Sequence, residues 1–235
     1  MQIHPYIDGV YASIEFYAWQ NFNEVMHAQT YSMIIDEYFD DLEEKKEVFN
    51  AVKRMPVIAE QTNWALQFSD PATADFAERL IGFICVEGAM FAGSFAAIFY
   101  FRSKNVLKRL LQANTFICAD ETLHVRFAIE VYKLVKRRLS QEHVHRIFKS
   151  AVDTEIRFLT EALPVSLIGL NDEDMAEYIR YVADFWLVQM GYEKLYYAEQ
   201  PLAYMDRISL RGNDNFFEMR STVYQACVVI DRVSS

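Results

Sequence analysis

Apolar residues recur at three- and four-residue steps along nearly the whole chain. That is the spacing of one face of an α-helix, not the alternation of a strand. Phe16, Trp19, Phe22, Met26, Tyr31 and Ile34 mark a first long helix over about 12–40. The charged run from Asp40 to Glu47 reads as a solvated connection or helix start, and helices come next near 44–68 and 73–102. Asp70-Pro-Ala-Thr73 separates those two, with Thr73 as the predicted N-cap. A further helix runs over about 104–139. Ser140 caps the next, which ends before Pro164 because the residue preceding a proline disfavours the helical region. Gly169-Leu-Asn-Asp-Glu-Asp174 opens a helix over about 172–190, closed by Gly191, and 195–226 reads as mixed and partly irregular. There is no 20–50-residue repeat. The expected fold is all-α: one domain over 1–226 with a short divergent tail at 227–235, and helices of ~30 residues, ~45 Å long, that suit a bundle.

Composition narrows the classes. Gly and Pro number 7 and 5 of 235 residues, well under the usual ~12%, which leaves little turn material for a many-stranded sandwich or barrel. Hydrophobic residues make up 52%, enough for one sizeable core. The net charge of −10 and the lack of a Lys/Arg stripe argue against a nucleic-acid partner. Cys85, Cys118 and Cys227 are odd in number and have no CxxC spacing, so a reducing compartment is expected. The N-terminus has no basic region leading into an apolar one and does not read as a signal peptide. Leu80–Phe101 is long and apolar enough to cross a bilayer. The preferred reading is instead the centre of a large helical domain, with no membrane partner. On either reading Glu87, its one charge, needs a partner.

The candidate chemistry lies in two Glu-x-x-His motifs, Glu24–His27 and Glu121–His124, 97 residues apart. On a helix, positions i and i+3 are neighbours, so one carboxylate and one imidazole reach the same ion. Di-iron and di-manganese bundles take such a motif from each of two helices and a lone Glu from each of two others. Glu87 qualifies as one lone Glu. A third motif, Glu142–His145, comes after Ser140 and a run of basic residues and reads as a solvated first turn. Each pair alone could be a satisfied buried carboxylate–histidine hydrogen bond. Both pairs together with Glu87 favour metal, since cores rarely hide five polar groups. Tyr31 lies on the same face, four residues after His27. Phe91 and Phe95 stand four and eight residues after Glu87, and Ile117 precedes Glu121 by four, which would give a dry apolar surround.

The sequence resembles the small, radical-generating subunit of class I ribonucleotide reductase, nearest its eukaryotic and viral branch. The matching stretches are Phe16–Ser32 (FYAWQNFNEVMHAQTYS), Val86–Phe95 (VEGAMFAGSF), Asp120–His124 (DETLH), Phe158–Pro164 (FLTEALP) and Asn215–Glu218 (NFFE). The resemblance implies a ferritin-like helical bundle. It implies that Glu24, His27, Glu87, Glu121 and His124 bind two iron ions, or a manganese–iron or dimanganese pair, and that Tyr31 is oxidised to a stable radical shielded by Phe91, Phe95 and Ile117. Asp120 matches an aspartate that bonds a ligand histidine and serves long-range electron transfer. The family's small subunit is a cytoplasmic homodimer that passes its radical to a large subunit, which makes deoxyribonucleotides from ribonucleotides.

Two departures accompany the likeness. The family's remaining ligand, an aspartate one helix earlier, would fall before residue 1. Asp8, sixteen residues before Glu24 in an Asp-Gly-Val context, is a weak candidate for it, and Glu155 or Glu161 could offer the fourth lone carboxylate. The family's acidic, tyrosine-bearing tail has no counterpart after Ala226, so both ends read as cut. Two alternatives stay open: a ferritin-like dimetal oxidase with no large subunit, and an inactive or split fragment lacking one carboxylate.

Overall fold

The computed structural model describes residues 5–50, 54–161 and 165–208, without the side chains of 5–10, 103, 165, 167 and 206–208. Two compact units are distinguished, Met1–Leu202 and Ala203–Ser235. Of the second, only the 3₁₀ turn Ala203–Ile208 is described. The Asn215–Glu218 motif, Cys227 and the 227–235 tail lie outside the described residues.

The described helices are α1 (Pro5–Tyr38), α2 (Leu42–Phe49), α3 (Pro56–Leu66), α4 (Phe76–Tyr100), α5 (Lys108–Lys133), α6 (Gln141–Glu161) and α7 (Asp172–Gln189). No strand occurs among the described residues, and the expected all-α fold holds. Local chemistry explains where the boundaries differ from the sequence reading. The helix predicted over 44–68 is interrupted at Met55, and Pro56 occupies the first turn of α3, where its missing N–H costs nothing. The cap of α4 is Asp75, not Thr73. Asp75 accepts from Glu78 N at 2.9 Å and Glu78 accepts from Asp75 N at 3.0 Å, a reciprocal capping box. The Thr73 hydroxyl instead donates to the carbonyls of Gln67 and Asp70. Ser140 Oγ accepts from His143 N at 3.3 Å. Asn171 caps α7 by accepting from Glu173 N and Asp174 N, and Gly191, at φ +85°, ends it.

Apolar content assigns α4 to the centre. Ile81, Ile84, Cys85, Ala89 and Ala96 are fully buried, and α5, α6 and α7 pack around it. Each such isoleucine contributes about 2 kcal/mol through burial. Its membrane-like composition is thus that of a core helix. It is not one regular helix: a π turn, Val86–Met90, interrupts it, then α-helical spacing resumes at Ala92. Helix α3 lies on α6. After α7, the irregular 195–202 segment is pinned by buried Asp184, which accepts from the backbone N–H groups of Leu195, Tyr196 and Ala198 at 2.8–3.0 Å.

Helix α1 is held differently. It packs chiefly on α5, and among its described side chains the buried ones are polar: Gln20, Asn23 and His27. Phe16 adds one stacked contact with Phe127 of α5, centroids 3.7 Å apart. The outer face carries exposed Tyr11, Ile14, Phe22, Val25, Met26 and Met33.

Gly82 sets how closely α4 approaches Phe68. A Cβ there would lie 2.3 Å from Phe68 Cγ. Gly82→Ala is expected to lower stability by about 1–3 kcal/mol, measured as a shift of the urea midpoint at unchanged m-value.

Candidate metal centre

Three helices converge on one point. α1 supplies Glu24 and His27, the π turn of α4 supplies Glu87, and α5 supplies Glu121 and His124. The i, i+3 spacing puts each Glu-x-x-His pair on one helix face, and the packing of α1 on α5 brings the two faces together. One donor atom each from Glu24, Glu87, Glu121 and His124 lies within 4.8 Å of all the others.

Glu121 is the hub. Its Oε1 is 2.9 Å from His27 Nδ1 and its Oε2 is 2.9 Å from His124 Nδ1, so one carboxylate spans both imidazoles. His124 Nδ1 also faces Glu24 Oε1 at 3.3 Å and Glu87 Oε2 at 3.7 Å. Glu24 Oε2 is 3.8 Å from His27 Nδ1. On its other nitrogen, His27 Nε2 meets Asp120 Oδ2 at 3.3 Å, a carboxylate–histidine contact of the kind that orients metal ligands from outside. The rings of Trp19 and Phe16 stand edge-on to His124, at 5.6 and 6.4 Å between centroids.

The electrostatics show what this set lacks. Burial pushes Glu87 well above the ordinary carboxylate range and the charges of Glu121 and Glu24 add to it, while His124 pulls the other way. Glu121 would also be raised by burial, but His124 and His27 hold it below the usual range. Contacts with the same two imidazoles lower Glu24. Burial disfavours the charged imidazoles, yet their carboxylate neighbours raise both to about 11. One Nδ1–H of His124 faces three carboxylates and can serve only one well. Glu24 Oε1, His27 Nδ1, Glu87 Oε2 and His124 Nε2 are buried without a well-formed hydrogen bond. Such orphaned donors and acceptors fit a multivalent cation. Octahedral ligands about 2.1 Å from an ion sit about 3.0 Å from one another, close to the two 2.9 Å contacts. Two nitrogens with carboxylate oxygens suit iron or manganese.

The other sequence candidates fall in distinct places. Tyr31, on the same face of α1, donates its phenol to Asn114 Oδ1 at 3.3 Å. Burial, with the nearby charge of Glu121, pushes its pKa up to about 12. Phe95 and Ile117 are buried and Phe91 half-buried, and Phe91 and Phe95 form an edge-to-face pair. Asp8 lies on the same rod as Glu24. Sixteen residues of helix put their backbones about 24 Å apart, so Asp8 does not join this cluster. Glu155 is fully buried on α6, where Gln61 Nε2 donates to it at 2.6 Å, beside Gly93 and nearly two turns along α4 from Glu87. Glu161 is exposed at the end of α6. Neither belongs to the cluster. Glu142 is exposed, and His145 Nε2 bonds the carbonyl of Glu193, as expected for a solvated first turn. Sequence reading missed Gln20, Asn23 and Asn114, all buried. The polar series 20, 23, 24, 27, 31 at helical spacing on α1 carried the signal for the first two.

Fold and site together define a helical bundle whose carboxylate–histidine cluster fits a dimetal centre. Residues 12–201 match the family described as "Ribonucleotide reductase, small chain", and the chain belongs to that family. It is 40% identical over 219 residues to the ribonucleoside-diphosphate reductase small chain of Nicotiana tabacum, covering 93% of this chain and 66% of that one. It is 41% identical over 210 residues to the ribonucleoside-diphosphate reductase subunit M2 of Danio rerio, covering 89% and 54%. Among solved structures it resembles the ribonucleotide reductase Rnr4 homodimer of Saccharomyces cerevisiae, with a TM-score of 0.72 and 27% identity over 89% of this chain and 63% of that one. The chain thus spans between about half and two thirds of the length of these relatives.

Metal ligation needs deprotonated imidazoles, whereas here both imidazoles are raised to about 11. Metal binding at neutral pH is therefore expected to release protons, and affinity to rise with pH up to that range. Calorimetric titration in buffers of differing ionisation enthalpy measures the release; a binding enthalpy independent of buffer would contradict it.

Proposed function

We propose that this chain is the metal- and radical-bearing part of a ribonucleoside-diphosphate reductase small subunit, acting in the cytoplasm with a separate large subunit that makes deoxyribonucleotides. The observation that carries this reading is the convergence of Glu24, Glu87, Glu121 and His124 within 4.8 Å, from three helices, in a chain of this family. Glu24, His27, Glu87, Glu121 and His124 hold two metal ions, either iron, manganese–iron or dimanganese. When bound, such a pair supplies one-electron oxidation driven by dioxygen, which no side chain performs.

The chain's own residues do the rest. Glu121 joins the two halves of the ligand set, and Asp120 fixes the orientation of His27 and lies on the route for electron transfer. Tyr31 keeps its proton at neutral pH, since its pKa stands at about 12. Oxidation to the neutral radical therefore removes one electron and the phenolic proton together, and the hydrogen bond to Asn114 fixes where that proton starts. Phe91, Phe95 and Ile117 keep water and reductants from the radical. Loading with ferrous iron and then exposing to oxygen should give a tyrosyl radical signal in electron paramagnetic resonance, absent in Tyr31→Phe. A signal surviving that substitution would remove Tyr31 from the role.

The exposed apolar stripe of α1, with Phe22 at 62% and Met33 at 71%, supports a homodimer, because a surface of this kind on a long helix marks an interface. Phe22→Glu combined with Met33→Glu should shift the sedimentation coefficient to that of a monomer at micromolar concentration. An unchanged dimer would place the interface elsewhere.

A further inference from the structure

Of the five proposed ligands, Glu87 alone does not stand on regular α-helix. Its π turn closes through Phe91 N to Val86 O at 3.2 Å, five residues apart. A π turn is an uncommon insertion and persists only where the surroundings hold it. One extra residue rotates the downstream part of the helix by about 100° relative to an uninterrupted one. If the turn relaxed, Glu87 and the Phe91–Phe95 face could not both keep their present directions.

The element that holds it is on α7. Trp186, 1% exposed, donates its indole Nε1–H to Gly88 O at 3.1 Å. The indole lies against the bare Cα of Gly88, where a Cβ would be 2.7 Å from Nε1 and 2.9 Å from Cδ1. Farther along, Gly93 meets α6 as closely: a Cβ there would be 2.4 Å from Leu159 Cδ1. A π turn loosens the helical ladder, and a side-chain donor inserted at one of its carbonyls is a recognised way to stabilise such an irregularity. The residue next to that carbonyl is Glu87.

We infer that Trp186 is a positioning residue for the metal ligands: its indole N–H, bonded to Gly88 O, holds the π turn that aims the Glu87 carboxylate at Glu121 and His124. This rests on the reading of the cluster as a metal site. A tryptophan that only filled the core would need its ring and not its N–H, and Trp186→Phe separates the two.

Two readouts test it, neither of them activity. In metal-free protein, Trp186→Phe should make the amides of 86–92 exchange with deuterium roughly three- to tenfold faster while those of α5 around Glu121 stay unchanged. Manganese(II) affinity, measured from the resonance signal of the free ion, should fall about tenfold, as is usual when an outer partner of a ligand is lost. In a Glu87→Gln background the same substitution should change manganese affinity little, because Trp186 acts through Glu87. Unchanged exchange and affinity in Trp186→Phe would overturn the inference. So would an equal loss of affinity in the Glu87→Gln background, which would mean general loosening. If Glu87→Gln alone binds manganese as tightly as the unaltered chain, the metal reading itself fails, and this inference with it. Should Trp186→Phe not fold, Gly88→Ala carries the same comparison by displacing the indole from the other side.

Discussion

Three carboxylates and two imidazoles meet in one small space, with Glu24 at its half-exposed rim and the others buried or nearly so, and their mutual repulsion and attraction govern the architecture around them. Glu121 spans both imidazoles at 2.9 Å, and Glu87 is pushed up by burial in a helix that supplies much of the core. Burying so many ionisable groups is unfavourable unless positive charge offsets them. Protonated histidines supply some of that charge, and the two metal ions of the proposed reading would supply it with better geometry. The helices around the cluster form a scaffold for that balance.

The scaffold divides its tasks. α4 gives stability through apolar packing on α5, α6 and α7 and contributes one carboxylate from an irregular turn. α5 is amphipathic in a second sense: one face joins the core through Val125, Ala128 and Ile129, while Glu121 and His124 meet α1. α1 brings polar groups and little apolar burial. Rigid elements with the reactive groups at their contacts suit chemistry that depends on position more than on motion.

Locality decided how much was legible in the sequence. Helical spacing marked most of the rods, and the i, i+3 pairs were visible because a ligand pair on one helix is a short-range pattern. Asp75 was hidden behind Thr73 because both are good caps, and only the reciprocal partner Glu78 decides between them. Pro56 split a helix that apolar spacing alone read as continuous. The π turn escaped because one inserted residue barely alters a run that is apolar on every side. Asn114 and Trp186 act through bonds spanning 83 and 98 residues, which no window along the chain contains. Asp8 shows the converse: a local likeness that sixteen residues of continuous helix carry away from the cluster.

The polar inner face of α1 has its own consequence. Helix α1 is fastened to α5 mainly through polar contacts, the carboxylate–imidazole cluster, the Tyr31–Asn114 hydrogen bond and the Glu37–Arg109 ion pair, with the rings of Phe16 and Tyr17 on Phe127 as an apolar clasp. On the proposed reading, in which the cluster holds two ions, their departure would loosen one of the ties on this rod, and a protease or chaperone that surveys loose helices would in effect be reading the cofactor content of the protein.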